Sequence, residues 1–130
     1  MLEIDQMVSR QLGSMQVVDC EKHDGAEEYI AEAQERRGLW QRLYFVKRNL
    51  RDDHGIFEAV VLHSGTQPLG RLTCEDSDYV TYLIEKESDR VGEPVVMVVE
   101  AEWNNWSSAH VKAVGFCRKQ AARAYAGYFK

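Results

Sequence analysis

Apolar positions change their spacing several times along the chain, and each change predicts an element. Leu2, Ile4, Met7, Val8 and Leu12 recur at helix-like intervals before Gly13, which predicts a short amino-terminal helix. Met15 to Cys20 reads as a short strand. From Gly25 to Arg37, Ala26, Tyr29, Ile30 and Ala33 share one helical face while Glu27, Glu28, Glu32 and Glu35 occupy the other. That is the pattern of an amphipathic helix, with Gly38 as its stop. Trp40 to Arg48 carries apolar atoms on both faces of an extended segment and reads as a well-buried strand. The polar run Asn49 to Gly55 then supplies a turn into a second strand, Ile56 to His63, so an antiparallel hairpin is expected.

After a further turn at Ser64 to Pro68, Gly70 to Thr73 predicts a brief strand. Thr73 or Asp76 then caps a helix with Tyr79, Val80, Leu83 and Ile84 toward the core, ended by Asp89 to Pro94. Val95 to Val99, continued by Ala101 and Trp103, has the unbroken apolar character of a central strand. Asn104 to Ala109 forms the next turn, His110 to Cys117 a partner strand, and Arg118 to Phe129 a last helix with Ala121, Ala122, Tyr125 and Phe129 inward. The expected fold is a small single α+β domain over residues 1–130, with a mostly antiparallel five- or six-stranded sheet packed with three or four helices. Successive strands are joined too briefly for helical crossovers, which argues against a doubly wound parallel sheet.

Composition narrows the class without naming an activity. A chain of 130 residues, 45% hydrophobic and with only two prolines, suits one globular domain and excludes collagen-like or wholly disordered character. No linker, repeat or low-complexity tract divides it. No apolar run reaches the roughly 18 residues a membrane helix needs, and Glu3 and Asp5 stand where a secretory signal carries basic residues. Cys20, Cys74 and Cys117 are odd in number and unlike a secreted disulfide framework. A soluble, cytoplasmic protein with no membrane partner is therefore expected.

The net charge of −5 is unevenly placed. Residues 1–38 carry −5 and residues 55–100 carry −6, whereas residues 39–54 carry +2 and residues 101–130 carry +4. A basic patch can attract phosphate locally even though the acidic whole weakens long-range steering. Arg42, Lys47, Arg48 and Arg51 cluster in one strand and turn, and Lys119, Arg123 and Lys130 share one face of the expected last helix. Brought together, Arg42, Arg48, Arg51, Lys119 and Arg123 would form a nucleic-acid-binding patch with Trp40 or Trp106 available for base stacking.

Catalytic chemistry is thinly supported. Cys20 and His23 are close enough for one metal ion, but the four-ligand zinc pattern lacks its second pair. Cys74 lies beside Glu75 and Asp76, whose charge disfavours a thiolate, while Cys117, at an expected helix start before Arg118 and Lys119, is electrostatically better placed. Glu58, Glu100 and Glu102 fall in strands and Asp19, Glu21 and Lys22 are neighbours, yet no spacing fixes them as a pair for acid–base or two-metal work. Neither dinucleotide nor P-loop glycine patterns occur. The expectation is no cofactor, no metal and, on balance, no enzyme, with a small metal- or cysteine-dependent hydrolase ranked last.

Between Ile56 and Ile84, a strand with Ala59, Val60 and Val61 leads into Ser64-Gly65, then Leu69-Gly70-Arg71-Leu72, Glu75-Asp76 and a helix. This segment of fewer than 30 residues resembles the middle of a HIRAN domain, a small module that binds DNA ends. Arg51-Asp52-Asp53-His54-Gly55 stands where that family carries Asn-Pro-x-Asp, so no nucleic-acid-binding residue is transferred from the resemblance.

The leading functional expectation is a noncatalytic protein-binding or inhibitory module, with another protein as partner. Trp103-Asn104-Asn105-Trp106-Ser107-Ser108 combines aromatic area with hydrogen-bonding groups, a composition common at interfaces. Trp106 and Asn105 would anchor the partner, while Glu28 and Glu32 on the acidic helix, or Asp78 and Glu85, would match its basic groups. The alternative is a nucleic-acid-binding accessory domain that uses the basic strand and the carboxyl-terminal helix.

Overall fold

A computed structural model describes residues 2–3, 15–35, 41–65, 67–103, 105 and 107–119, with the side chains of residues 2, 3, 41 and 42 outside that description. The strands are β1 (Leu2–Glu3), β2 (Gln16–Val18), β3 (Gln41–Asp52), β4 (Gly55–Ser64), β5 (Gln67–Leu72), β6 (Val95–Trp103) and β7 (Ala109–Arg118). A 3-10 turn at Cys20–Lys22 leads to helix α1 (Ala26–Glu35), and helix α2 (Cys74–Val91) lies between β5 and β6.

The strand order β1-β7-β2-β5-β4-β3-β6 returns on itself, because β6 also pairs with β7. β2, β5, β4, β3, β6 and β7 therefore form a closed ring in which every pair is antiparallel. β1 adds to β7 at Leu2 and Phe116, farther along β7 than the β2 contact at Ala109 and His110. Closure satisfies backbone groups that an open sheet would leave at its edges. It also needs curvature, which two register shifts supply. Leu62 faces Gly70 while His63 faces Pro68, leaving Leu69 as the extra residue on β5. Val98 faces Gly115 while Val99 faces Ala113, leaving Val114 as the extra residue on β7.

Phe45, Leu43, Leu62, Leu72, Met97 and Val99 fill the interior. A smaller outer cluster, Tyr44, Val96, Val98 and Cys117, explains why the Val95–Val99 run is apolar without alternation. Helix α2 packs on the barrel through Val80, Tyr79, Leu83 and Ile84. Thr73 caps it by accepting from the Asp76 N–H at 3.4 Å, and Gly92 ends it at φ +76° with its N–H on Ser88 O. Buried Ser77 ties helix to sheet, its hydroxyl accepting from Val60 N–H at 3.2 Å and donating to Leu72 O at 3.4 Å. Helix α1 buries Ala26, Ile30 and Ala33, and its Tyr29 meets Trp103 edge-on with ring centroids 6.4 Å apart.

The expectation of three or four helices packed on the sheet is corrected, while the antiparallel α+β class stands. Among the described residues there are two α-helices, and six antiparallel strands closed into a barrel, with β1 added on β7, supply most of the core. Leu2 and Glu3, expected in a first helix, pair with β7, while residues 4–12 of that helix lie outside the described residues. Arg118, expected to begin a last helix, prolongs β7 opposite Val95, and residues 120–129 lie outside the described residues. The β3–β4 turn is also shorter than expected. Asn49 to Asp52 continue the ladder and only Asp53 and His54 bridge the strands, with His54 N–H donating to Asp52 Oδ1 at 2.8 Å. The exposed polar residues there looked like a turn because this end of the ribbon projects into solvent rather than covering core.

Candidate functional site

The two-residue turn fixes the β3–β4 register and thereby assembles a cationic corner on the outer wall of the barrel. Tyr44 pairs with His63, Val46 with Val61 and Arg48 with Ala59, so Tyr44, Arg48 and His63 share a face. Arg71 joins that face from β5, opposite Val61 on one side and Val18 on the other. His23, just after the 3-10 turn, completes the group; Arg48 and Arg71 both act on its charge.

Each side chain is held differently. Arg71 is locked in place: its Nε and Nη2 reach Asp19 Oδ2 at 2.9 and 2.8 Å, and its Nη1 donates to Leu72 O at 3.2 Å. Its guanidinium also lies 5.6 Å from the Phe57 ring centroid. Asp19 is the one non-glycine residue with positive φ among the described residues, at φ 58° and ψ 29°, a conformation aspartate tolerates better than most residues. Its carboxylate thereby reaches back across β2 and β5 to Arg71. Arg48, by contrast, is exposed and paired with no carboxylate among the described residues; its Nη1 lies 3.4 Å from His63 Nε2.

His63 is buried and oriented by a carbonyl. Its Nδ1 lies 3.3 Å from Gly65 O, which also accepts from the Tyr44 hydroxyl. A carbonyl offers no proton, so Nδ1 of the neutral ring is the N–H and the Nε2 lone pair faces Arg48. Burial, reinforced by Arg48 and His23, holds His63 below the ordinary imidazole range against the raising effect of Gly65 O. Burial likewise lowers His23, with Arg48 and Arg71 outweighing Asp19 and Glu21.

The basic patch expected from sequence is only partly assembled. Arg48 stands on the outer face, whereas Lys47 and Arg51 alternate to the opposite face of β3, and Lys47 is paired with Glu58 at 3.2 Å. Arg51 is exposed near the hairpin tip, opposite Ile56. Arg42 has its backbone opposite Glu100, with its side chain outside the description. Lys119 is exposed after β7, its N–H on Pro94 O, and it and Lys47 both line a groove of about 220 Å³ whose other walls include Val46, Ile84, Val95 and Val96. Arg123, Lys130, Trp40 and Trp106 lie outside the described residues.

Of the aromatic loop, Trp103 is half-buried against Tyr29, and Asn105 is spent on the loop itself. Its Oδ1 accepts from Ser107 N–H and Oγ–H at 2.8 Å each and from Ser108 N–H at 3.0 Å. Glu28 and Glu32 are exposed on α1. Cys20 and Cys117 are buried thiols, Cys20 pushed by burial to about 12 and Cys117 also raised by burial, which disfavours the thiolate a nucleophile needs. Cys117 sits inside β7 rather than at the expected helix start. Among the described residues no three His, Cys, Asp or Glu side chains gather around a metal-sized space, and no helix is long and apolar enough to cross a membrane.

No family model matches the chain, nor does any curated protein or solved structure. In structural terms, fold and site define a closed six-stranded antiparallel barrel with a histidine–arginine corner on its outer wall.

Proposed function

We propose that this chain is a nucleic-acid-binding module that takes a single-stranded phosphate chain on the barrel wall at Arg48, flanked by Arg71, His23 and His63. The observation that carries the proposal is Arg48: an exposed guanidinium with no carboxylate partner among the described residues, beside two imidazoles and a second, fixed guanidinium. Arginine suits phosphate because its planar donors match two oxygens at once. Phe57, half-buried beneath Arg71, supplies apolar area beside it. The acidic remainder of the protein opposes approach at long range, so binding is expected to be weak and salt-dependent, with Kd of roughly 10⁻⁴ to 10⁻⁶ M.

Fluorescence anisotropy with a short labelled oligothymidylate at low salt tests this. Arg48→Gln is expected to weaken binding and to reduce the slope of log K against log salt by about 0.7, the share of one single-strand phosphate contact. Absence of binding at low salt overturns the proposal. Three unpaired thiols suit action in a reducing, cytoplasmic compartment.

A second reading, a protein-binding or inhibitory module, draws support from α1, where Glu27, Glu28, Glu32 and Glu35 present an exposed acidic face. It predicts a nuclease-resistant complex weakened by Glu28→Lys and by Trp106→Ala. Loss of every specific partner on nuclease treatment refutes it.

A further inference from the structure

The contact between Arg48 and His63 is made only by a neutral imidazole. Nδ1–H points at Gly65 O, so Nε2 accepts from the Arg48 guanidinium. A protonated ring would turn a second N–H toward Arg48, setting donor against donor and charge against like charge. An anion reverses this conflict, because a phosphate oxygen between the two groups accepts from both.

We propose that the space between Arg48 and His63 is a proton-coupled phosphate seat, in which a phosphate oxygen displaces the Arg48–His63 contact and His63 takes up a proton at Nε2 as the anion binds. This rests on the nucleic-acid reading above and adds its pH dependence. The proton comes from solvent and returns to it when the ligand leaves; no covalent bond is made or broken.

The surroundings of His63 favour this exchange. From β3, Arg48 and Tyr44 face it, the Tyr44 ring centroid lying 6.0 Å away and its hydroxyl directed to the same Gly65 carbonyl. That shared acceptor keeps Nδ1–H in place in both charge states, so only Nε2 changes role. His23, after the 3-10 turn, lies close enough for its charge to act on His63, and is itself under the influence of Arg48, Asp19, Arg71 and Glu21. Among the described residues no carboxylate pairs with His63, whose ring nitrogens meet Arg48 and Gly65 O. His63 is only 6% exposed and Arg48 is exposed above it, so the guanidinium must swing aside to admit the oxygen. Arg71, held by Asp19, stays as a fixed charge while Arg48 moves.

The closing experiment follows the imidazole proton signals of His63 by NMR as pH is lowered, in free protein, with oligothymidylate and with inorganic phosphate, alongside anisotropy over the same pH range. His63 is expected to titrate at higher pH when oligothymidylate is bound. Affinity is expected to rise as pH falls, by up to about tenfold per pH unit while the bound ring alone is protonated, levelling off once the free ring is protonated too. His63→Gln, which keeps a polar atom near Arg48 but cannot titrate, should flatten that rise. A shift with both ligands supports a seat for the phosphate group as such, and a shift with oligothymidylate but not inorganic phosphate supports one for a phosphate carried on a nucleic-acid chain. Oligothymidylate binding with an unmoved His63 titration overturns the inference while nucleic-acid binding stands. No oligothymidylate binding at any pH overturns that reading, and the inference with it. Should His63→Gln fail to fold, the titration of the unaltered protein still decides.

Discussion

Gly70→Ala tests how the barrel closes. Gly70 lies in β5 with φ +155°, where β2 crosses close to it. A methyl group there would stand 2.5 Å from Val17 Cγ1, 2.8 Å from Cys20 Sγ and 3.0 Å from Val18 O. Carbon atoms prefer about 3.5–4.0 Å, so the nearest contact falls short by about 1 Å or more. Neither Val17 nor Cys20 has room to retreat, since both are fully buried, and the third neighbour is backbone of the β2–β5 ladder. Overpacking of this kind costs about 1–3 kcal/mol, and forcing an alanine into the glycine-favoured conformation about 1–3 kcal/mol more. A total of about 2–6 kcal/mol is a large part of the roughly 5–15 kcal/mol that stabilises a domain. At about 3–6 °C per kcal/mol, the melting temperature should drop by roughly 6 °C at the least. Gly92→Ala supplies the comparison, since Gly92 has φ +76° but nothing within 4 Å of the added methyl, leaving backbone strain alone. Circular dichroism melts and urea titrations of both variants measure the difference. A Gly70→Ala protein no less stable than Gly92→Ala would refute the claim that close approach of β2 to β5 sets the cost.

The histidines make stability pH-dependent in a stated direction. His23 and His63 are lowered in the folded protein from 6.5, so the stability they confer as neutral rings is complete above that pH and is lost as pH falls through their folded values. Thermal melts should therefore show a decline setting in below about pH 6.5, shallower in His63→Gln; a melting temperature unchanged or raised on acidification contradicts this. Thiol chemistry gives an independent check of burial. Iodoacetamide at neutral pH should modify exposed Cys74 in the native protein and leave Cys20 and Cys117 until denaturant is added, as read by mass spectrometry; rapid native labelling of Cys20 would contradict its burial.

Local signals in the sequence carried several elements through to the structure. The amphipathic stripe of Ala26, Ile30 and Ala33 marks α1, and Thr73, one of two cap candidates, starts α2, which runs to Val91 inside the expected break at Asp89 to Pro94. The apolar run at Val95 and the alternation after Ala109 mark β6 and β7. These survive because capping and periodicity act within a few residues, where neighbours in sequence are neighbours in space. Closure of the sheet was not legible in the same way. It depends on β7 meeting both β6 and β2, and the β2–β7 pairing joins residues more than ninety positions apart, such as Gln16 and His110.

The site divides along the same line. Residue types and charge were present in the sequence, which supplied Arg48 as a candidate, but a turn placed over Asn49–Gly55 concealed the register that sets Tyr44 against His63. Placing the turn at Asp53-His54 would have revealed that pair by counting outward along the hairpin. Arg71, Asp19 and His23 had no such route, since a left-handed residue after β2 and a bulge at Leu69 bring them together. Sequence alone determined the acidic charge, the amphipathic stripe of α1 and the start and core-facing side of α2, because those follow from composition and short-range periodicity, while its count of three or four helices did not hold. Only the tertiary structure decided that the strands close into a barrel and that Arg48 rests against a neutral His63, because both depend on long-range register and on burial.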